Sequence, residues 1–242
     1  MPYRPLNFRI WLLASLWLCL CTPCLAEKLA ITFDDLPLNG ILAPGMTRTG
    51  MVTDVVKLLK NADVPTVYGF VNAVKLEGDA DGAAALQAWA AAGERVGNHG
   101  YSHLDLTETR AADFLSDVRR NEPALELLSR DSNWKWFRYP YLHEGNTLAK
   151  RREVRRQLLA RGYRTAQVTI DYEDYLYNSP YARCLARKDE PAMAWLRSSY
   201  LALAAGYIDA TGRWRNWCSG TASITCCCCT WAHSAARYCP IC

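Results

Sequence analysis

Apolar positions along the chain switch between short continuous runs and helical spacing. Leu29-Ala30-Ile31-Thr32-Phe33 reads as a strand buried on both faces and running into Asp34-Asp35, because the run is short and does not alternate with polar residues. Asn39-Gly40 and Pro44-Gly45 then mark a loop. Val52, Val55, Val56, Leu58 and Leu59 fall at helical spacing within 47–61. The pattern continues with a strand over 66–71, an Ala-rich helix over 83–92 stopped by Gly93, and a short strand over 94–98 leading to His99. A helix over 107–130, broken near Pro123, precedes a strand over 134–139. A basic helix over 146–161, a strand over 165–170 and a long helix over 191–208 complete the series. Strict alternation of β and α elements predicts an α/β fold with parallel strands covered by helices. No repeat, linker or second domain interrupts it.

Both termini depart from this pattern. Arg4 and Arg9 precede an apolar run from Ile10 to Cys21, and Ala26 stands before the polar Glu27. A basic start, about a dozen apolar residues and a small residue at the boundary describe a signal peptide over 1–26, since a membrane span needs ~20 apolar residues. The expected location is therefore secreted or periplasmic, with no membrane partner after cleavage. At the other end, residues from Arg213 onward contain no Leu, Val, Asp, Glu or Lys, while Trp recurs at Trp214, Trp217 and Trp231. Of the 11 cysteines, Cys218, Cys226, Cys227, Cys228, Cys229, Cys239 and Cys242 crowd this stretch. Four consecutive Cys do not form a zinc tetrahedron, whose ligands come in spaced pairs. The genetic code points elsewhere. Read two bases forward, the codons of Cys226–Cys229 become Leu-Leu-Leu whichever Cys codons are used, and the next codon, shared with Thr230, becomes His or Tyr. The expected organisation is a signal peptide at 1–26, one catalytic domain at 27–211, and an out-of-frame tail at 212–242. That tail is expected to leave the 29–33 strand with an open edge.

Charge changes the picture little. The net charge is +4, and without the arginines of the two terminal segments it becomes slightly negative. The basic balance is therefore no argument for nucleic acid or an anionic membrane as a partner, and no nucleic-acid partner is expected. The run Lys150-Arg151-Arg152 with Arg155-Arg156 reads as a solvated helix face.

Four polar clusters follow strands, where parallel α/β folds gather their chemistry. They are Asp34-Asp35, His99-Gly100-Tyr101-Ser102-His103, Arg138-Tyr139-Pro140-Tyr141, and Asp171-Tyr172-Glu173-Asp174-Tyr175. Two His four apart on a helical turn share one metal ion, and with one carboxylate they leave positions open for water and substrate. Adjacent Asp residues at a strand end point different ways, so that one binds the ion and the other takes a proton. Each motif alone has an ordinary structural reading as a capping or surface group. Their ordered set is what carries weight.

That set resembles the polysaccharide deacetylases, the NodB-homology group also called carbohydrate esterase family 4. Thr32-Phe33-Asp34-Asp35 is similar to the family's opening motif. His99 to His103 is similar to its His-(Ser/Thr)-x-x-His, with Gly100 as a departure. Arg138 to Tyr141 matches Arg-x-Pro-(Tyr/Phe), and Asp171 to Tyr175 is close to Asp-x-x-Asp-Trp. The resemblance implies a distorted, incomplete (β/α) barrel. It implies Asp34 as general base paired with Arg138, and Asp35, His99 and His103 as ligands of a divalent metal, zinc first. It implies Tyr139, Pro140, Tyr141, Asp171 and Asp174 on the substrate side, with an acetylated polysaccharide as substrate. The family's acid histidine, in Leu-x-x-His, is absent from the frame as written, and the shifted frame restores a Leu-Leu-Leu-His candidate. Leu36-Pro37 replaces the family's Gly-Pro after Asp35, so substrate preference does not carry over. His143 reads as a solvated turn residue.

Two other readings stay open. Two His and one carboxylate also hold Fe(II) in oxygenases. A non-catalytic saccharide-binding protein would use Tyr101, Trp134, Trp136, Tyr139, Tyr141, Tyr172 and Tyr175 to stack sugar rings.

Overall fold

The computed structural model describes residues 28–129, 132–218 and 224–229, with 212–218 and 224–229 as backbone. The expected signal peptide at 1–26 and the rest of the tail lie outside the described residues. The elements alternate as β1 (Lys28–Leu36), α1 (Arg48–Asn61), β2 (Tyr68–Val71), α2 (Ala80–Ala91), β3 (Arg95–Asn98), α3 (Ala111–Leu128), β4 (Trp136–Phe137), α4 (Leu148–Ala160), β5 (Arg164–Thr165), α5 (Asn178–Arg187), α6 (Glu190–Cys218) and β6 (Ile224–Cys229). All strand pairs are parallel, in the order β5-β4-β3-β2-β1-β6. The sheet curls into the distorted, incomplete (β/α) barrel that the alternation and the resemblance imply.

Helix caps explain where the helices begin. Thr47 caps α1 by accepting from the Gly50 N–H, Asp79 caps α2 at Gly82, and Thr147 caps α4 at Lys150. Met51, Val52, Val55, Val56 and Leu59 form the buried face of α1, and Leu86 and Trp89 do the same for α2. Against them lie Ile31, Phe33, Val71 and Val96 from the sheet. Small residues set how closely the layers approach. A Cβ at Gly97 would stand 2.5 Å from the Phe70 ring, so no larger residue fits there without moving that ring.

Several expectations need correction. The helix α3 runs unbroken through Pro123. A proline inside a helix costs roughly 3 kcal/mol, but Asn121 and Leu125 on either side are fully buried. Asn121 also bridges three groups: its amide donates to the Val71 carbonyl and Asn98 Oδ1, and its Oδ1 accepts from the Ala73 N–H. These contacts hold both flanks of the proline in place. Strands β4 and β5 are two residues each, shorter than the apolar runs predict. The chain leaves β4 because Arg138 turns inward and Pro140 opens a tight turn. The helix α5 is not among the elements expected from the sequence. It is short and buries only Asn178 and Tyr181, the latter in a small cluster with Met193 and Leu196 of α6. Finally, β1 has no open edge on the tail side. Backbone from Ile224 to Cys229 pairs with it in register from Lys28 to Phe33.

Candidate active site

The carboxyl ends of β1, β3 and β4 converge on one cavity of about 410 Å³. Open parallel sheets bind ligands at this end because the loops there are free to carry polar groups. Asp34, Asp35, His99, His103, Tyr141, His143 and Asp171 line it.

Asp34 and Asp35 sit where the β1–β2 register is irregular, between Phe33 and Leu36. Asp35 takes a left-handed conformation with φ 65°, which turns its side chain away from that of Asp34. Asp34 meets Arg138, whose guanidinium donates to both carboxylate oxygens at 3.1 and 3.2 Å. The same guanidinium donates to Thr32 Oγ1 at 3.2 Å and, through Nε, to the Ala166 carbonyl at 2.7 Å. It lies 4.6 Å from the Phe70 ring centre. Arg138 and Asp34 are both buried. A buried pair of this kind holds its geometry because the guanidinium fork is planar and always charged.

Asp35, His99 and His103 offer three ligand atoms within 4.8 Å of one another. His99 Nδ1 stands 2.9 Å from the Arg138 carbonyl oxygen. A carbonyl only accepts, so Nδ1 carries the proton and Nε2 keeps its lone pair for an ion. The expected helical turn between the two histidines is absent. The segment is a loop in which Gly100 has φ 75° and His103 φ 59°. Gly100 is required there, since an added Cβ would meet Asp117 Oδ2 at 2.9 Å. The two imidazoles stand edge to face at 4.9 Å, and His103 packs against Tyr141 at 4.5 Å. Burial, aided by repulsion from His99, pulls His103 down to about 4, so it is neutral and able to coordinate at ordinary pH. Burial pushes the Asp35 carboxyl up, but Lys75 and the two histidines outweigh it and hold the group below its usual range. Two imidazoles and one carboxylate fit a divalent ion, with positions left for water and substrate.

A family model described as polysaccharide deacetylase matches residues 25–166, more than half of the chain. The chain belongs to the polysaccharide deacetylase family. A search of curated proteins finds no match. Among solved structures, the chain is similar to a family 4 carbohydrate esterase from Streptomyces lividans in complex with acetate, at 18% identity and TM-score 0.51, covering 88% of this chain and 84% of that one. It is similar to the chitin deacetylase of Colletotrichum lindemuthianum, at 20% identity and TM-score 0.54, covering 86% and 75%. It is also similar to a family 4 pseudoenzyme from Bacillus anthracis, at 13% identity and TM-score 0.52, covering 87% and 57%. These likenesses show a shared fold. Family membership makes the protein a hydrolase acting on acetylated polysaccharide.

In this deacetylase the structure brings Asp34, Asp35, His99, His103 and Arg138 together. Tyr141 and Asp171 reach the cavity wall. Tyr139, Pro140 and Asp174 do not line it; all three are buried, and Tyr139 packs between the rings of Phe114 and Phe137. Of the aromatics considered for sugar stacking, Tyr141 and Tyr175 face the cavity, whereas Tyr101, Trp134 and Tyr172 are buried. His143 is not an isolated turn residue. It lines the cavity, with Nδ1 2.9 Å from Asp105 Oδ2.

Sequence reasoning missed the residues that hold the site in shape. Asn72 donates to the carbonyls of His99 and Gly100 at 2.8 and 3.0 Å. Asp117 accepts from the N–H groups of Tyr101 and Ser102. Lys75 donates to Asp35 Oδ1 at 2.9 Å and to the Asp35 carbonyl at 3.0 Å. Asn72 stands at the end of β2, a position that invites inspection for polar residues. Lys75 and Asp117 have no local signal, because their partners lie far along the chain.

Proposed function

We propose that this polysaccharide deacetylase is a secreted or periplasmic, metal-dependent enzyme that removes N-acetyl groups from a glycan, hydrolysing a non-peptide carbon–nitrogen bond. The observation that carries this is the convergence, in one cavity, of a three-ligand Asp-His-His set and a separate carboxylate clamped by a buried arginine. An Fe(II) oxygenase would leave the Asp34–Arg138 pair without work. A bare sugar-binding role fits poorly with the burial of most of the aromatics it needs.

A divalent ion held by Asp35, His99 and His103 supplies Lewis-acid polarisation of the acetyl carbonyl and a more acidic water. Asp34 accepts the proton of the attacking water. Arg138 lies against Asp34 as a counter-charge in its buried position and fixes both of its oxygens. A backbone N–H of the turn at Tyr141, where φ is 58° on the cavity wall, is the donor we assign to the developing oxyanion. Tyr141 and Tyr175 provide the ring faces against which a sugar packs. The leaving amine needs a proton, and the frame as written has no Leu-x-x-His to give it.

We further infer that residues from about 212 onward are translated out of frame. The strand β6 ends opposite Phe33, one residue short of Asp34 in register. In the shifted frame β6 reads as leucines, and the codon that follows encodes His or Tyr. A parallel strand beside β1 calls for apolar residues, and the mechanism calls for an acid near Asp34; the β1–β6 pairing supports this reading. Sequencing the gene across codons 212–242 decides the matter, and an intact frame overturns the inference.

Acetate release from acetylated chitooligosaccharide and acetylated xylan tests the activity, with zinc and with a chelator. The written and frame-corrected chains are compared side by side. Zinc-dependent release from the amide substrate by the frame-corrected chain is expected. No release from either substrate by either chain would overturn the proposal.

A further inference from the structure

Lys75 lies in a short 3-10 turn, Ala73–Leu76, that follows β2. Its ammonium donates to Asp35 Oδ1 at 2.9 Å and to the Asp35 backbone carbonyl at 3.0 Å. The same Oδ1 stands 3.4 Å from His103 Nε2. Lys75 therefore holds the carboxylate oxygen that faces the second imidazole of the ligand set. Its side chain is only 24% exposed, and that of Asp35 8%, so solvent screens the contact weakly. Asn72 anchors the turn from below, since its carbonyl accepts from the Lys75 N–H.

We propose that Lys75 is a resident cation at the metal centre, which competes with the divalent ion for Asp35 and lowers the affinity of the site. In the metal-free protein Lys75 neutralises the buried carboxylate of Asp35. An ion taken up by Asp35, His99 and His103 meets that ammonium within a few ångströms. The lysine then gives up Oδ1. Its second bond, to the Asp35 carbonyl, gives it a place to stay after the exchange. A flexible single-point donor suits such a swing, whereas a planar arginine fork would not. This inference rests on the metal reading of the site.

The test is zinc affinity of the full chain, measured by competition against a chromophoric chelator, for wild type, Lys75→Met, Lys75→Gln and His103→Ala. Lys75→Met keeps the length and packing of the stem and removes the charge. Its zinc affinity is expected to rise by about ten-fold or more, the scale of losing a unit charge close to a dication in a partly buried site. The metal-free variant should melt below metal-free wild type, and saturating zinc should raise its melting temperature by more than it raises that of wild type. Lys75→Gln should follow the same direction and guards against a packing fault in the methionine variant. His103→Ala should lose zinc binding. Unchanged or weaker zinc affinity in both Lys75 variants, with binding lost in His103→Ala, overturns the role of Lys75 and leaves the metal reading intact. Zinc binding that survives His103→Ala shows that the ion sits elsewhere, and both readings then fall.

Discussion

Asp34 and Asp35 are neighbours in the chain and both are buried, yet each belongs to a different half of the site. Asp34 faces β4, where Arg138 holds it by both oxygens, and that guanidinium is itself tied to Thr32 and Ala166. Asp35 faces the loop after β2 and the His99–His103 segment, with Lys75 and His103 both at its Oδ1. One carboxylate has a rigid, permanently charged partner that removes its freedom. The other has partners that, on the proposed metal reading, give way to an ion: a flexible ammonium and an imidazole that is neutral at ordinary pH. A base needs a fixed position and a fixed charge. A ligand needs a charge that an incoming ion can take over. The left-handed turn at Asp35 is what separates the two.

The largest test of this division is His103→Ala. One of three ligands is removed from an open site, and stoichiometric zinc, read by elemental analysis, is expected to fall to background. Undiminished metal content would show that this half of the site is not the metal half. Next comes Asp34→Asn, which should keep its zinc and lose deacetylation by ~10²-fold or more, the range of general-base catalysis. Loss of zinc along with activity would mean that the two aspartates have exchanged roles.

Arg138→Met tests the rigid half through stability. It leaves Asp34 buried without its counter-charge, and removing one partner of such a pair costs roughly 3–5 kcal/mol. A denaturant midpoint equal to that of wild type would show that the clamp is not needed. The smallest effect belongs to the cavity wall. Tyr141→Ala removes a half-exposed ring beside His103, and should raise KM for an oligosaccharide several-fold, on the scale of ~0.5–1.5 kcal/mol for an aromatic contact. A fall in bound zinc in the same variant would reveal Tyr141 as a support of His103 rather than a sugar contact.

Much of the site was legible along the chain because parallel strands deliver their polar residues at one end. Thr32 to Asp35, His99 to His103 and Arg138 to Tyr141 each follow an apolar run, so their convergence follows from the alternation itself. Residues that act from a distance were not legible. Nothing near Lys75 in the sequence points to Asp35, and nothing near Asp117 points to the loop N–H groups it binds. Asp171 and Asp174 look equivalent in the sequence, yet one lines the cavity and the other is buried.

The sequence by itself determined the class of fold, the order of most of its elements and the residue types available for chemistry. Periodicity and turn residues are local properties, and the spacing of motifs fixes which strand end each one occupies. Only the tertiary structure decided that the two histidines sit on a left-handed loop rather than a helical turn, that β1 is paired on both edges, and that Arg138 and Lys75 each take one of two adjacent carboxylates. Those outcomes depend on which backbone groups and charges meet across the sheet. Burial makes each unpaired charge costly, and the cost is met by partners that no local pattern encodes.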